Sequence, residues 1–181
     1  PEEYRYAKYQ LDKLLMMAKN GKISLSFFDE TTISMVPKVT NAWQEKGRKG
    51  TIKLPSFKGK NFNIAGFLGH DNSFYSYVFD GSVDSEAVVK VFDKFVKTIT
   101  NKTYVIIDNA TTHTSDMFLE KIDEWEEKGL HIFNLPTYSP ELNRIEILWR
   151  FIKYRWLPFN SYLSPKKMQE NIFDILSNTG K

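Results

Sequence analysis

The stretch Leu135 to Lys153, LPTYSPELNRIEILWRFIK, constrains the fold most tightly, because it joins a proline-punctuated turn, a helix start and a carboxylate in apolar surroundings. Ser139 before Pro140 reads as an N-cap followed by proline at the first helical position, so a helix is expected to begin there. Within it Ile145, Leu148, Trp149 and Ile152 recur at helical spacing, and Ile147 and Phe151 widen the apolar arc. Most of the circumference is therefore expected to be packed. Glu146, Arg150 and Lys153 share the remaining stripe. A carboxylate on the narrow polar stripe of a packed helix is placed rigidly, which suits a metal ligand or a general base.

A length of 181 residues suits one domain with a sizeable core. The 41% hydrophobic and 15% aromatic shares argue against disorder. No apolar run approaches the roughly 18 residues of a membrane span and no signal peptide is visible, so a soluble protein with no membrane partner is expected. The absence of cysteine removes disulfide frameworks and thiolate zinc sites, and fits a reducing cytosol. With three histidines, any metal would be held mainly by carboxylates, which selects hard ions such as Mg²⁺ or Mn²⁺.

The net charge of +3 does not by itself imply nucleic acid, but its distribution is uneven. Lys46, Arg48, Lys49, Lys53, Lys58 and Lys60 follow one another with no acidic residue between them. Such a segment either lies along phosphates, with salt-dependent affinity, or is a solvated basic hairpin without a partner. Trp43 beside it either stacks on a base or serves a core or hinge.

Along the chain, residues 1–20 read as a leading helix stopped by Gly21. Ile23 to Asp29 reads as a strand ending in Asp29-Glu30, and Thr31 to Val39 as a possible short second strand of a hairpin. Phe62 to Leu68 and Phe74 to Phe79 complete an antiparallel meander around the polar turn 69–72. Val88, Phe92, Phe95 and Ile99 mark an amphipathic helix capped by Ser82 or Asp84. Thr103 to Asp108, TYVIID, is a short apolar run suited to a strand buried on both faces. A helix capped by Thr114 or Ser115 with Phe118, Ile122 and Trp125 inward, a strand at Leu130 to Leu135, the Glu146 helix and a last helix from Ser164-Pro165 follow. This order matches the ribonuclease H-like topology, an α/β fold with a five-stranded mixed sheet flanked by helices.

In such a sheet the first and fourth strands are neighbours, so Asp29 and Asp108 would lie side by side, and the packed helix can bring Glu146 to them. Each alone has an ordinary reading: strand-end turn residues for the aspartates, an ion-pair partner of Arg150 for Glu146. Three like charges in a partly desolvated site need a compensating cation to stay ionised. Two divalent ions about 4 Å apart could activate a water or a 3′-hydroxyl and stabilise the leaving oxygen during in-line attack on a phosphodiester. Glu30 would point to the opposite face if the strand continues through it, and Glu141 is adequately explained by the helix dipole. His113 reads as a capping or orienting residue in preference to a primary ligand. Arg150 and Lys153, on the stripe with Glu146, are the basic residues expected nearest the metals.

The string YSPELNRIEILW resembles the third-carboxylate motif of the transposases of the Tc1/mariner and IS630 group. FFDET and VIIDNATTH resemble the segments around the first and second aspartates of that group, and Asn109 and His113 fit its Asp-Asn-x-x-x-His pattern. The resemblance covers nearly the whole chain, with a slightly longer spacing from Asp108 to Glu146 than is common in the group. It implies Asp29, Asp108 and Glu146 as catalytic metal ligands, and DNA strand cleavage followed by strand transfer at transposon ends. It also implies insertion at TA dinucleotides, double-stranded end and target DNA as partners, and a homodimer in the DNA complex. A bacterial relative would work in the cytoplasm at the nucleoid, a eukaryotic one in the nucleus. An N-terminal helix-turn-helix region is implied as well; none is visible here, and the chain lacks an initiator methionine, which suggests a fragment. Two other readings share these residues: a ribonuclease H-like nuclease without strand transfer, and a transposase-derived domain that only binds DNA or protein.

Overall fold

The computed structural model of the chain describes residues 2–37, 47, 55, 57, 59–79 and 81–181. Helix α1 (Glu2–Lys19) ends where Gly21 takes a positive φ of 70°, and leads into β1 (Ser24–Ser34). β1 pairs antiparallel with β2 (Asn61–Gly69), which pairs antiparallel with β3 (Phe74–Phe79). Helix α2 (Ser85–Phe95), capped by the Asp84 carboxylate accepting from the Ala87 N–H, crosses to β4 (Thr103–Ile107). Two short helices, α3 (Asp116–Leu119) and α4 (Ile122–Glu127), cross to β5 (Leu130–Asn134). β4 runs parallel to both β1 and β5, so the sheet order is β3-β2-β1-β4-β5. Helices α5 (Ile145–Phe151) and α6 (Pro165–Asn178) finish the chain. The five-stranded mixed sheet expected from the order of apolar segments is the one observed.

Strand alternation divides the core into two layers. Leu25, Phe27 and Ile33 of β1 face Leu11 of α1, Ile145, Leu148 and Trp149 of α5, and Met168 and Ile172 of α6. Phe28 faces the other way, into Phe67, Val88, Phe92, Phe118 and Trp125. There the Phe92 ring lies 4.7 Å from that of Phe28 and 5.0 Å from that of Trp125. The indole N–H of Trp125 donates to Asp93 at 2.9 Å, so its burial leaves no unmet donor.

Four local expectations are corrected. Asp29 does not end a strand, and residues 31–34 belong to the same strand and not to a second one, residues 38 and 39 of the expected segment lying outside the described residues: β1 runs on through both carboxylates to Ser34, because β2 supplies ladder partners for Asp29 (Gly66), Glu30 (Ala65) and Thr31 (Ile64). The helix expected around Phe118 and Trp125 is broken in two at residues 120–121. The helix expected from Pro140 begins only at Ile145. Pro140–Leu142 form a single 3₁₀ turn that Ser139 does not cap with its side chain, and Asn143 then takes an extended backbone. Finally, Ile147 and Phe151 are 48% and 47% exposed, because this seven-residue helix rests on the sheet by one side only.

Gly66, opposite Asp29 in the ladder, is where the sheet admits α5. A Cβ there would stand 2.9 Å from both the Phe74 and the Trp149 rings. Gly66→Ala is therefore expected to cost about 1–3 kcal/mol by overpacking, and to push Trp149, three residues after Glu146, away from the sheet. The midpoint of urea unfolding checks this; an unchanged midpoint would contradict it.

Candidate active site

Asp29 owes its position to β1. Its odd position puts it on the layer that contains α5, whereas Glu30 faces the α2 layer. The parallel register of β1 with β4 runs from Ser24 opposite Thr103 to Phe27 opposite Ile106, and two further residues set Asp29 level with Asp108. Burial, reinforced by the nearby charges of Glu146, Glu30 and Asp108, pushes the Asp29 carboxyl up to about 8. The carboxyl is thus held in surroundings that disfavour its charge, first by burial and then by the neighbouring carboxylates.

Asp108 follows the last residue of β4 and is held from below. Its Oδ1 accepts from the Ala110 N–H at 3.2 Å and lies 2.9 Å from Nδ1 of His113. Nε2 of His113 lies 3.1 Å from Oε2 of Glu30, whose Oε1 accepts from the Thr112 hydroxyl at 3.4 Å. The His113 side chain is fully buried against Phe28 and Phe118. Burial opposes its charge, but the hydrogen bonds to Asp108 and Glu30 outweigh that and push its pKa up to about 10. In turn the hydrogen bond from His113 holds Asp108 below the usual carboxylate range.

Glu146 sits in the first turn of α5, its N–H bonded to the Asn143 carbonyl. Asn143 is 3% exposed, and its side-chain amide donates to the Phe28 carbonyl at 2.9 Å, which ties the 3₁₀ turn to the centre of β1. That bond fixes the amide's orientation and leaves its Oδ1 buried without a hydrogen-bond partner among the described residues. Asp108, Asn109, Asn143 and Glu146 line a cavity of about 240 Å³ with the 135–140 turn. On its rim Tyr138 is 99% exposed with a left-handed φ of 59°. Asp29 does not line this cavity, yet it is near enough for Glu146 and Asp108 to act on its carboxyl. A wider cavity of about 960 Å³ beside Glu30, Lys60 and Asn63 contains none of the three carboxylates.

Of the residues singled out in the sequence, Asp29, Asp108, Glu146, Asn109 and His113 are thus brought to one end of the sheet. Trp43, Lys46, Arg48, Lys49 and Lys53 lie outside the described residues. Arg150 is exposed on α5, and Lys153 lines a small cavity with Thr32, Ser34 and Tyr162 at the far end of β1, so neither reaches the Asp108–Glu146 cavity. For Lys153 the reason is local: from Ile152 to Trp156 the backbone winds as a π-helix, which breaks the stripe that α-helical spacing had drawn; Arg150 lies before that segment, inside α5. Two residues were missed. Asn143 could have been found as a helix-breaking residue inside the PELNR turn; Glu30 carried only its alternation with Asp29, and its partner lies 83 positions away.

Oxygen donors on two adjacent parallel strands and a packed helix define the catalytic type of ribonuclease H-like domain. The chain belongs to the DDE superfamily endonucleases, whose sequence profile matches residues 24–169. Its fold is similar to that of the Mos1 transposase in a strand transfer complex, at 15% identity over 98% of this chain and 55% of that one, with a TM-score of 0.61. It is similar to a Mos1 mariner paired end complex with Mn, at 14% identity over 99% and 56%, with a TM-score of 0.63. The catalytic domain of Mos1 mariner transposase alone aligns at 11% identity over 99% and 83%, with a TM-score of 0.56. The chain spans 55% of the length of the strand transfer complex's transposase chain. No match was found among curated proteins.

Proposed function

We propose that this chain is the catalytic domain of a Tc1/mariner- or IS630-like DNA transposase, which cuts DNA at element ends and joins the freed 3′-hydroxyl to target DNA. The observation that carries this reading is the convergence of Asp29, Asp108 and Glu146 at the C-terminal end of two parallel strands, close enough for Glu146 and Asp108 to act on the Asp29 carboxyl. Among the described residues no three His, Asp or Glu side chains are gathered tightly enough to hold an ion as they stand. Their chemistry nevertheless fits Mg²⁺ or Mn²⁺: hard oxygen donors, a buried carboxyl pushed up to about 8 beside other carboxylates, and the orphaned Oδ1 of Asn143 nearby. Asp29, Asp108 and Glu146 would hold the metal. When bound there, divalent ions would lower the pKa of an attacking water or 3′-hydroxyl and stabilise the leaving oxygen. The residues of this chain do the placing. β1 and β4 hold the aspartates side by side, His113 orients Asp108, and Asn143 anchors the turn from which Glu146 projects.

Solved Mos1 structures include a strand transfer complex and a paired-end complex with the left transposon end, which supports transposon-end and target DNA as partners here and a paired, dimeric DNA complex. The test is a strand-transfer assay with pre-cut end duplexes and a supercoiled target in Mn²⁺. Joined products that disappear when the end carries a 3′-deoxy terminus are expected. Hydrolysis without joining would replace this reading with that of a nuclease.

A further inference from the structure

We propose that Glu30 is a positioning residue for Asp108, acting through His113 across the edge of the sheet. This rests on the reading of Asp108 as a metal-holding carboxylate. Glu30 and Asp29 are adjacent in β1 and point to opposite layers, so Glu30 cannot reach the face that Asp29 shares with Glu146. His113 connects the two sides: Nε2 is 3.1 Å from Glu30 Oε2 and Nδ1 is 2.9 Å from Asp108 Oδ1. With a carboxylate at each nitrogen and full burial against Phe28 and Phe118, the ring has no alternative orientation. Nδ1 also lies 3.1 Å from the Asp108 backbone carbonyl, so ring and main chain together fix the carboxylate's rotation.

The consequence concerns which oxygen is free. Oδ1 of Asp108 is used by His113 and the Ala110 N–H, while Oδ2 has no hydrogen bond among the described residues. Glu30 thus keeps His113 aimed, His113 commits Oδ1, and Oδ2 is the oxygen presented to the cavity. Carboxylate–histidine pairs behind a ligand commonly change metal affinity by about 10- to 100-fold when broken. Here the arrangement stands behind a carboxylate ligand, with histidine as the middle member.

The experiment compares wild type, Glu30→Gln, His113→Gln, the double variant and Asp108→Asn. Mn²⁺ is titrated by electron paramagnetic resonance, the Asp108 side-chain carboxyl ¹³C shift is read by NMR without metal, and thermal midpoints serve as a folding check. Expected is Mn²⁺ binding by wild type that Asp108→Asn abolishes, and a half-saturation raised about tenfold or more by Glu30→Gln. The Asp108 carboxyl signal moves, and the double variant adds little to His113→Gln, because both changes cut one chain. A folded Glu30→Gln with wild-type Mn²⁺ affinity and an unmoved Asp108 signal overturns the proposal, as do additive effects. If wild type itself binds no Mn²⁺, the metal reading fails and the carboxyl signal alone decides: moved in Glu30→Gln, the positioning stands; unmoved, it falls.

Discussion

Asp108→Asn is expected to lower DNA strand cleavage by roughly 10³-fold or more, the equivalent of the several kcal/mol of charge stabilisation that a metal ligand secures in the transition state. The amide keeps an acceptor oxygen for Nδ1 of His113 and loses the negative charge. Its fold should therefore be only slightly weakened, by about 1 kcal/mol, the difference between a charge-assisted and a neutral hydrogen bond. Gel quantification of cleaved end duplex in Mn²⁺, alongside a thermal melt, separates the two effects. Cleavage within tenfold of wild type by a folded Asp108→Asn would remove Asp108 from the chemistry.

Asp29→Asn is expected to do the opposite to stability: it should raise that of the metal-free protein, and more so as the pH rises. The Asp29 carboxyl has its pKa raised from 3.8 to about 8 in the fold. Between those values the folded state binds the proton more tightly than the unfolded state, so stability falls as pH rises from about 4 to about 8 and is then level. The substitution removes that penalty, which is on the order of a few kcal/mol at pH 8. His113, raised to about 10, contributes its own decline: its stabilisation is complete below its ordinary pKa of 6.5 and is lost as pH rises through about 10. The difference between wild type and Asp29→Asn cancels that contribution to first order. Urea unfolding of both proteins at pH 5 and pH 8 measures it. A gap that does not widen with pH would show that Asp29 is not held in buried, anionic surroundings, and Mn²⁺ should close the gap by stabilising wild type alone.

How far the sequence could be read depended on whether the signal was local. TYVIID named a strand buried on both faces because five consecutive residues carried the message, and Asp84 and Ser115 turned out to be caps because capping needs only a side chain two or three residues before the N–H it accepts from. Asp29-Glu30 looked like a strand end for the same local reason. What carried β1 on to Ser34 was Asn61–Gly69, a partner strand that local composition around Asp29 does not mention. Ile147 and Phe151 failed differently: apolar spacing says which side chains could be buried, and only neighbouring elements say which are.

The sequence by itself determined the order of the five strands and the mixed sheet they form, and it named three candidate carboxylates that come to one end of that sheet. Apolar periodicity and an unbroken motif are written in neighbouring residues, and adjacency of the first and fourth strands follows from topology alone. Only the tertiary structure decided that Glu30 and His113 stand behind Asp108, that Asn143 ties the Glu146 turn to Phe28, and that neither Arg150 nor Lys153 lines the cavity. The first two are contacts across 83 and 115 positions, and Lys153 lies in the π-turn. Hydrogen bonds of that reach exist only once two faces of a sheet have been packed, and no spacing in the chain encodes them.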